Sequence, residues 1–297
     1  PVAGHAPWPR AAVNAHSWGR ATEALANGRA DLLGLWGEPG TVHMALRDAE
    51  TGEPAILSLA CPQATFPSVG VRHAPAIRLE RTIRDLYSLM PEGAADTRPW
   101  LDHGTWDRSA PLAERPGRAT AAAEYPFLAA EGEDLHRIAV GPVHAGIIEP
   151  GHFRFTAAGE TVVRLEERFG YVHKGVEGLL AGAALDRAVQ IAGRVSGDST
   201  VAYQLAFARA AEAAMEIEAP PRATVLRAIM AELERLANHL GDVGAIVNDA
   251  SFAILQAHFA ILRERTLRAA DAAFGHRFMR DVIVPCGLAG DIAPGGA

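Results

Sequence analysis

The chain has 297 residues, 49% of them apolar, with a formal net charge of −7. That length exceeds one typical domain and allows a sizeable core, and two domains are the natural prior. The acidic balance, with a pI near 6.0, excludes a general nucleic-acid or anionic-membrane binder.

In chain order, a first helix closes over residues 25–29, with Gly28 near its end. Residues 31–36, 41–46 and 54–59 read as strands, separated by Gly37-Glu38-Pro39-Gly40 and Asp48-Ala49-Glu50-Thr51-Gly52. A helix follows over 77–86, where Ile77, Leu79, Ile83 and Leu86 recur at helical spacing. Residues 98–117 are irregular, and alanine, proline and charge run on through Glu133 as in a connecting segment. Strands at 136–140 and 152–155 form a hairpin, and Ala158-Gly159-Glu160 turns into a third strand at 161–165. From Glu166 onward the pattern is helical. An alanine-rich helix covers Thr200–Met215, and two long helices over 223–247 and 252–274 pack lengthwise. The fold class is therefore α+β: a small α+β domain over 1–115, a linker over 116–134 and a mainly helical domain over 135–297 that opens with a hairpin.

No window approaches the roughly 18 uninterrupted apolar residues of a spanning helix, and no basic-then-apolar segment opens the chain. The expectation is a protein soluble by itself that can still dock on membrane partners. Cys61 and Cys286 are far apart and match no paired ligand spacing, which suits a reducing compartment. They read as ordinary buried small residues, with a pairing between them left open.

Four ordered motifs carry the chemistry: Gly141-Pro142-Val143-His144, Glu149-Pro150-Gly151-His152-Phe153-Arg154-Phe155, Gly170-Tyr171-Val172-His173-Lys174-Gly175-Val176-Glu177 and Arg194-Val195-Ser196-Gly197-Asp198-Ser199. His144, Glu149 and His152 are a candidate proton-transfer or metal-binding group, although their spacing matches no defined metal site. His173 and Glu177 would share a face if they lie on one helix. Asp198 or Ser199 is suited to cap the helix that follows. Glu234, Arg235 and His239 read as a solvated helix face or a subunit contact. Phosphate loops, dinucleotide fingerprints and Cys-x-x-Cys pairs are missing.

Together these motifs resemble the large-subunit superfamily of nickel–iron hydrogenases, formate hydrogenlyase and the D subunit of complex I, and the wording is nearest formate hydrogenlyase. The stretch Glu80-Arg81-Thr82-Ile83-Arg84-Asp85-Leu86-Tyr87 resembles the signature of the C subunit, so the chain looks like a C/D fusion. In the hydrogenase branch the fourth motif reads Arg-x-Cys-x-x-Cys and supplies two thiolates to the metal. Here both positions are serine, Ser196 and Ser199. The complex I branch carries a tyrosine at the position of Gly197 and a second histidine near Ile148, and neither is present.

The resemblance implies an oxidoreductase subunit, NADH- or quinone-linked, with no metal bound by this chain. Glu177, His144, Arg194 and Asp198 are the implied reactive group, with Ser196, Ser199, Glu149 and His173 lining the cofactor or acceptor site. The implied partners are an iron–sulfur small subunit, ion-translocating membrane subunits and a quinone-like small molecule, and no nucleic acid. The implied location is cytoplasmic, peripheral on the inner face of the membrane. A silent scaffold subunit is the alternative, and a functioning hydrogenase is a third reading.

Overall fold

Between strand β1 (Arg10–Val13) and helix α1 (Ala15–Ala26), Asn14 accepts the backbone N–H of Ser17 and so caps the helix. Gly28 ends the turn at a φ of +67°, a left-handed value open to glycine at little cost. The chain then enters β2 (Ala30–Glu38), β3 (Thr41–Asp48) and β4 (Pro54–Ala60). The sheet order is β1-β4-β3-β2, with β1 parallel to β4 and the other pairs antiparallel. Trp18 and Leu25 of α1 pack with Val42, Met44, Leu59 and Phe66 into one core. Each such side chain contributes about 1.5–3 kcal/mol of burial. In this computed structural model residues 2–143 and 149–293 are described.

Strand β5 (Thr65–Pro67), helix α2 (Ile77–Tyr87) and strand β6 (Met90–Glu92) follow, and β5 pairs parallel with β6. The charged residues of α2 are turned inward. Glu80, 1% exposed, accepts the Ser68 hydroxyl and the backbone N–H groups of Val69 and Gly70. Arg81 donates to the carbonyls of Arg98 and Pro99 and to the Tyr125 hydroxyl. Asp85 accepts the N–H groups of Trp100 and Leu101 at 2.8 and 2.9 Å. The signature stretch of α2 thus anchors the segment that leaves the domain.

Strands β7 (Leu135–Val140), β8 (His152–Ala158) and β9 (Thr161–Arg168) form an antiparallel sheet in that order. Arg98 reaches it through Glu166 at 2.7 Å, and Glu166 also accepts the N–H of Leu128. The chain accordingly divides into units Pro1–Lys174 and Gly175–Ala297. The division falls well after the position expected near 135, because these buried polar contacts tie the three-stranded sheet to the first unit.

The second unit holds α3 (Val176–Leu180), α4 (Leu185–Ala192), α5 (Thr200–Met215), α6 (Pro221–Asp249) and α7 (Ala253–Phe274). A two-strand hairpin, β10 (Ile283–Val284) with β11 (Gly287–Leu288), follows them. Helix therefore begins at Val176, not at Glu166, since β9 runs on to Arg168. Helices α6 and α7 pack along their length, and Gly244 lies against Phe259. Met230, Ala208, Val201 and Ala270 form the core with Met279 and Ile283. The apolar stripe of α6 is wider than this core uses. Leu226 and Met230 are buried, whereas Ile229, Leu236, Val243 and Ile246 are exposed. Among the described residues no helix is long and apolar enough to cross a membrane. Cys61 and Cys286 are both free.

Candidate functional site

The Ser196–Ser199 stretch is a bend between α4 and α5, and it is closed from both sides. Thr200 donates its hydroxyl to the Gly193 carbonyl at 2.6 Å, which joins the end of α4 to the start of α5. Ser199 stands at the N-cap of α5 with φ −126° and ψ 35°, and its side chain makes no capping bond. The cap comes instead from α6, where the Glu234 carboxylate accepts the N–H of Val201 at 2.7 Å and of Ala202 at 3.0 Å. The expectation that Asp198 or Ser199 caps the helix is corrected by this contact. The two carboxyl oxygens each meet one of the otherwise orphaned donors at the start of the helix, where a local hydroxyl could serve only one.

Asp198 is engaged elsewhere: its carboxylate accepts the Ser196 hydroxyl, and its carbonyl accepts the Asn238 amide at 2.8 Å. Glu234 and Asn238 are four apart on α6, so one face of that helix grips the bend twice. This also corrects the reading of Glu234 as a solvated residue; its neighbour Arg235 is exposed and pairs with Glu232. Burial pushes the Glu234 carboxyl above the usual carboxylate range, and the Asp198 charge adds to that against the two N–H donors. A crevice of about 10 Å³ lies here, lined by Asp198, Glu234, Asn238, Arg263 and Arg277 among others. That is room for roughly one water.

Arg194 precedes the bend. Its guanidinium makes a two-pronged pair with Asp281 at 2.6 and 2.7 Å and donates to the Gln190 carbonyl. Asp281, 87 residues further along the chain, is brought to Arg194 by tertiary folding. Gln204, fully buried, donates to the same Asp281 carboxylate at 3.1 Å. The Arg194 guanidinium holds the Asp281 carboxyl below the usual carboxylate range. A depressed native pKa stabilises the fold above the unfolded value and loses that contribution as pH falls through the native one. Thermal unfolding followed from neutral to acid pH should therefore show a loss of stability that Asp281→Asn reduces. An unchanged slope in that variant would remove Asp281 from the account.

The remaining candidates divide between the two units. Glu177 is exposed on α3. His173 precedes that helix in irregular chain, so the two do not share a helix face; its ring stacks on Trp106 at 5.2 Å. Glu149 is exposed, with the Lys174 ammonium 3.7 Å away. His144 lies outside the described residues. Arg194, Ser196, Asp198 and Ser199 share one bend, whereas Glu149 and His173 belong to the first unit. Sequence reasoning missed Glu234, Asn238 and Asp281 as parts of the site. Only Glu234 carried a signal, an acid next to an apolar stripe.

The donors at the bend are two hydroxyls and a carboxylate. A soft thiolate-seeking nickel–iron centre does not fit them, since serine hydroxyls stay protonated at neutral pH. Among the described residues no group of three His, Cys, Asp or Glu side chains is arranged to hold a metal ion.

The chain is similar to several curated proteins. It is 34% identical over 221 residues to hydrogenase-4 component G of Escherichia coli, covering 71% of this chain and 40% of that protein. It is 33% identical over 222 residues to formate hydrogenlyase subunit 5 of Escherichia coli, covering 71% and 39%. To an NADH-quinone oxidoreductase subunit of Dehalococcoides mccartyi it is 32% identical over 110 residues, covering 37% and 30%. The chain thus spans about two-fifths of the first two relatives. Among solved structures it resembles a chain of the membrane-bound sulfane sulfur reductase, an archaeal respiratory membrane complex. The TM-score is 0.51 at 21% identity, over 57% of this chain and 44% of that one, a likeness of fold alone. No protein-family model matches the chain.

Proposed function

The chain belongs to the complex I/nickel–iron hydrogenase superfamily, and from that premise we propose that it is part of the large subunit of a membrane-associated oxidoreductase complex. In this reading it receives electrons from a partner iron–sulfur subunit and passes them to a quinone or similar small acceptor, without a nickel–iron centre of its own. Ion-translocating membrane subunits lie beyond, and the subunit sits peripherally on the inner face of the membrane.

One observation carries the reading. At the bend where a hydrogenase presents thiolates, this chain presents Ser196, Asp198 and Ser199, held by Glu234 and Asn238 of α6. Hydroxyls and protonated carboxyl groups donate hydrogen bonds to a carbonyl acceptor and can pass protons to it, which is the chemistry quinone reduction needs. Asp198 is exposed and can reach an acceptor laid against the bend. Arg194 is paired with Asp281, and that pair helps to shape the bend. The scaffold reading draws on a different observation, the crevice of about 10 Å³ beneath the bend, which is too small for an acceptor-sized ligand.

Metal analysis and hydrogen uptake on the full-length protein, copurified with its iron–sulfur partner, test the proposal. The expected result is iron in the partner, no stoichiometric nickel and no hydrogen uptake. Stoichiometric nickel with hydrogen uptake would overturn it. Reduction of a short-chain ubiquinone by the same complex separates an active subunit from a scaffold.

A further inference from the structure

Glu234 does more at the bend than a capping residue requires. A cap is ordinarily a small polar side chain next to the helix it caps. Here it is a half-buried carboxyl group from another helix, lining a crevice together with Asp198. The groups that look into that crevice are few. Asp198 comes from the bend, Asn238 from α6, Arg263 from α7 and Arg277 from the turn after α7. Arg277 is committed to Glu264 at 2.8 Å. The crevice has room for about one water, enough to bridge two carboxyl groups by hydrogen bonds. Asp198 in turn accepts the hydroxyl of Ser196, half-buried at the surface of the bend.

We propose that Glu234, Asp198 and Ser196 form a proton path from the α6–α7 crevice to the acceptor at the bend, with Glu234 as its proton-holding member. The proposal rests on the acceptor-reducing reading above and gives that site its proton supply. The acceptor is of the quinone class. It takes two electrons from the iron–sulfur partner and two protons, and becomes a hydroquinone. For each proton, the Glu234 carboxyl first protonates the Asp198 carboxylate through a water that the crevice has room for; Ser196 then turns its hydroxyl hydrogen to an acceptor oxygen and takes the proton of Asp198. Asp198 returns to the carboxylate, and Glu234 recovers its proton from solvent. No covalent bond to the protein forms. A serine hydroxyl at position 196 suits the path because it both donates and accepts, where a metal-bound thiolate has no proton to donate.

The conditions at Glu234 agree with that role. Burial and the Asp198 charge shift its carboxyl above the ordinary range, toward the protonated form, against the two N–H donors.

The test is infrared difference spectroscopy against pH on the full-length protein with its iron–sulfur partner, alongside steady-state reduction of a short-chain ubiquinone. The wild-type spectrum should keep a carboxylic-acid C=O stretch to a pH above the ordinary glutamate range. That band should vanish in Glu234→Gln, shift in Glu234→Asp and disappear at lower pH in Asp198→Asn. Turnover in Glu234→Gln should fall about 100-fold, lose its decline at high pH and recover in part in Glu234→Asp. A band that survives Glu234→Gln, or no such band in the wild type, overturns the proposal, as does quinone turnover unaltered in Glu234→Gln. A wild-type complex that shows the Glu234 band and reduces no quinone would overturn the acceptor and the path to it, while locating the held proton at Glu234.

Discussion

Replacing Arg227 by methionine should cost about 3–5 kcal/mol of stability in urea unfolding, because it leaves a carboxylate buried without its cation. Arg227 of α6 and Glu212 of α5 are 4% and 9% exposed and meet at 2.6 and 3.1 Å. The pair is also a joint between helices and hairpin. Arg227 donates to the carbonyls of Val284 and Gly287, and Glu212 accepts the Cys286 N–H at 2.7 Å. Four elements are thus pinned by two side chains. The Arg227 guanidinium holds the Glu212 carboxyl below the usual carboxylate range. The sign follows: the contribution is full above the unfolded pKa and is lost as pH falls through the native one. Combining Arg227→Met with Glu212→Leu should recover part of the loss, and a double-mutant cycle with no coupling would refute the joint.

The second large effect belongs to the first unit. Glu80→Ala should cost roughly 3 kcal/mol or more, since each buried donor left unpaired costs about 1–3 kcal/mol. The Ser68 hydroxyl and the N–H groups of Val69 and Gly70 all lose their acceptor. Glu80→Gln keeps an acceptor oxygen and should cost less. The pH dependence runs opposite to that of Glu212, because burial raises the Glu80 carboxyl above its ordinary range. Its stability contribution is complete below the unfolded pKa and declines as pH rises through the native one. Urea midpoints for the two variants across that range would decide it; equal losses in both would mean that the carboxylate is not what orders Ser68–Gly70.

Local pattern carried much of the fold. The bounds of α5 agree with those read from its alanine run, and β2, β3 and β4 begin within a residue of the expected strands. These elements are set by period and by turn residues, which are local. The α+β class and the superfamily were legible as well, because the four motifs keep their order and wording. Tertiary choices were less legible. Nothing near Glu234 in sequence signals that its carboxylate serves a helix that begins at Thr200, more than thirty residues earlier. Asp281 as the partner of Arg194 is hidden in the same way. The stretch from Phe169 to Gly175 has helical spacing, yet Gly170 and Gly175 adopt positive φ and keep the chain irregular until Val176.

The outer face of α6 has a consequence for the protein's behaviour in solution. Val225, Ile229, Leu236 and Val243 recur at spacings of four, seven and seven and are 38–59% exposed. A helix with apolar side chains on opposite faces meets water on one of them unless something covers it. The free energy of folding measured for this chain then includes whatever that face binds, whether a partner or another copy, and mass action makes it depend on concentration. Melting temperatures taken on dilute chain and on the assembled complex are for that reason two different quantities.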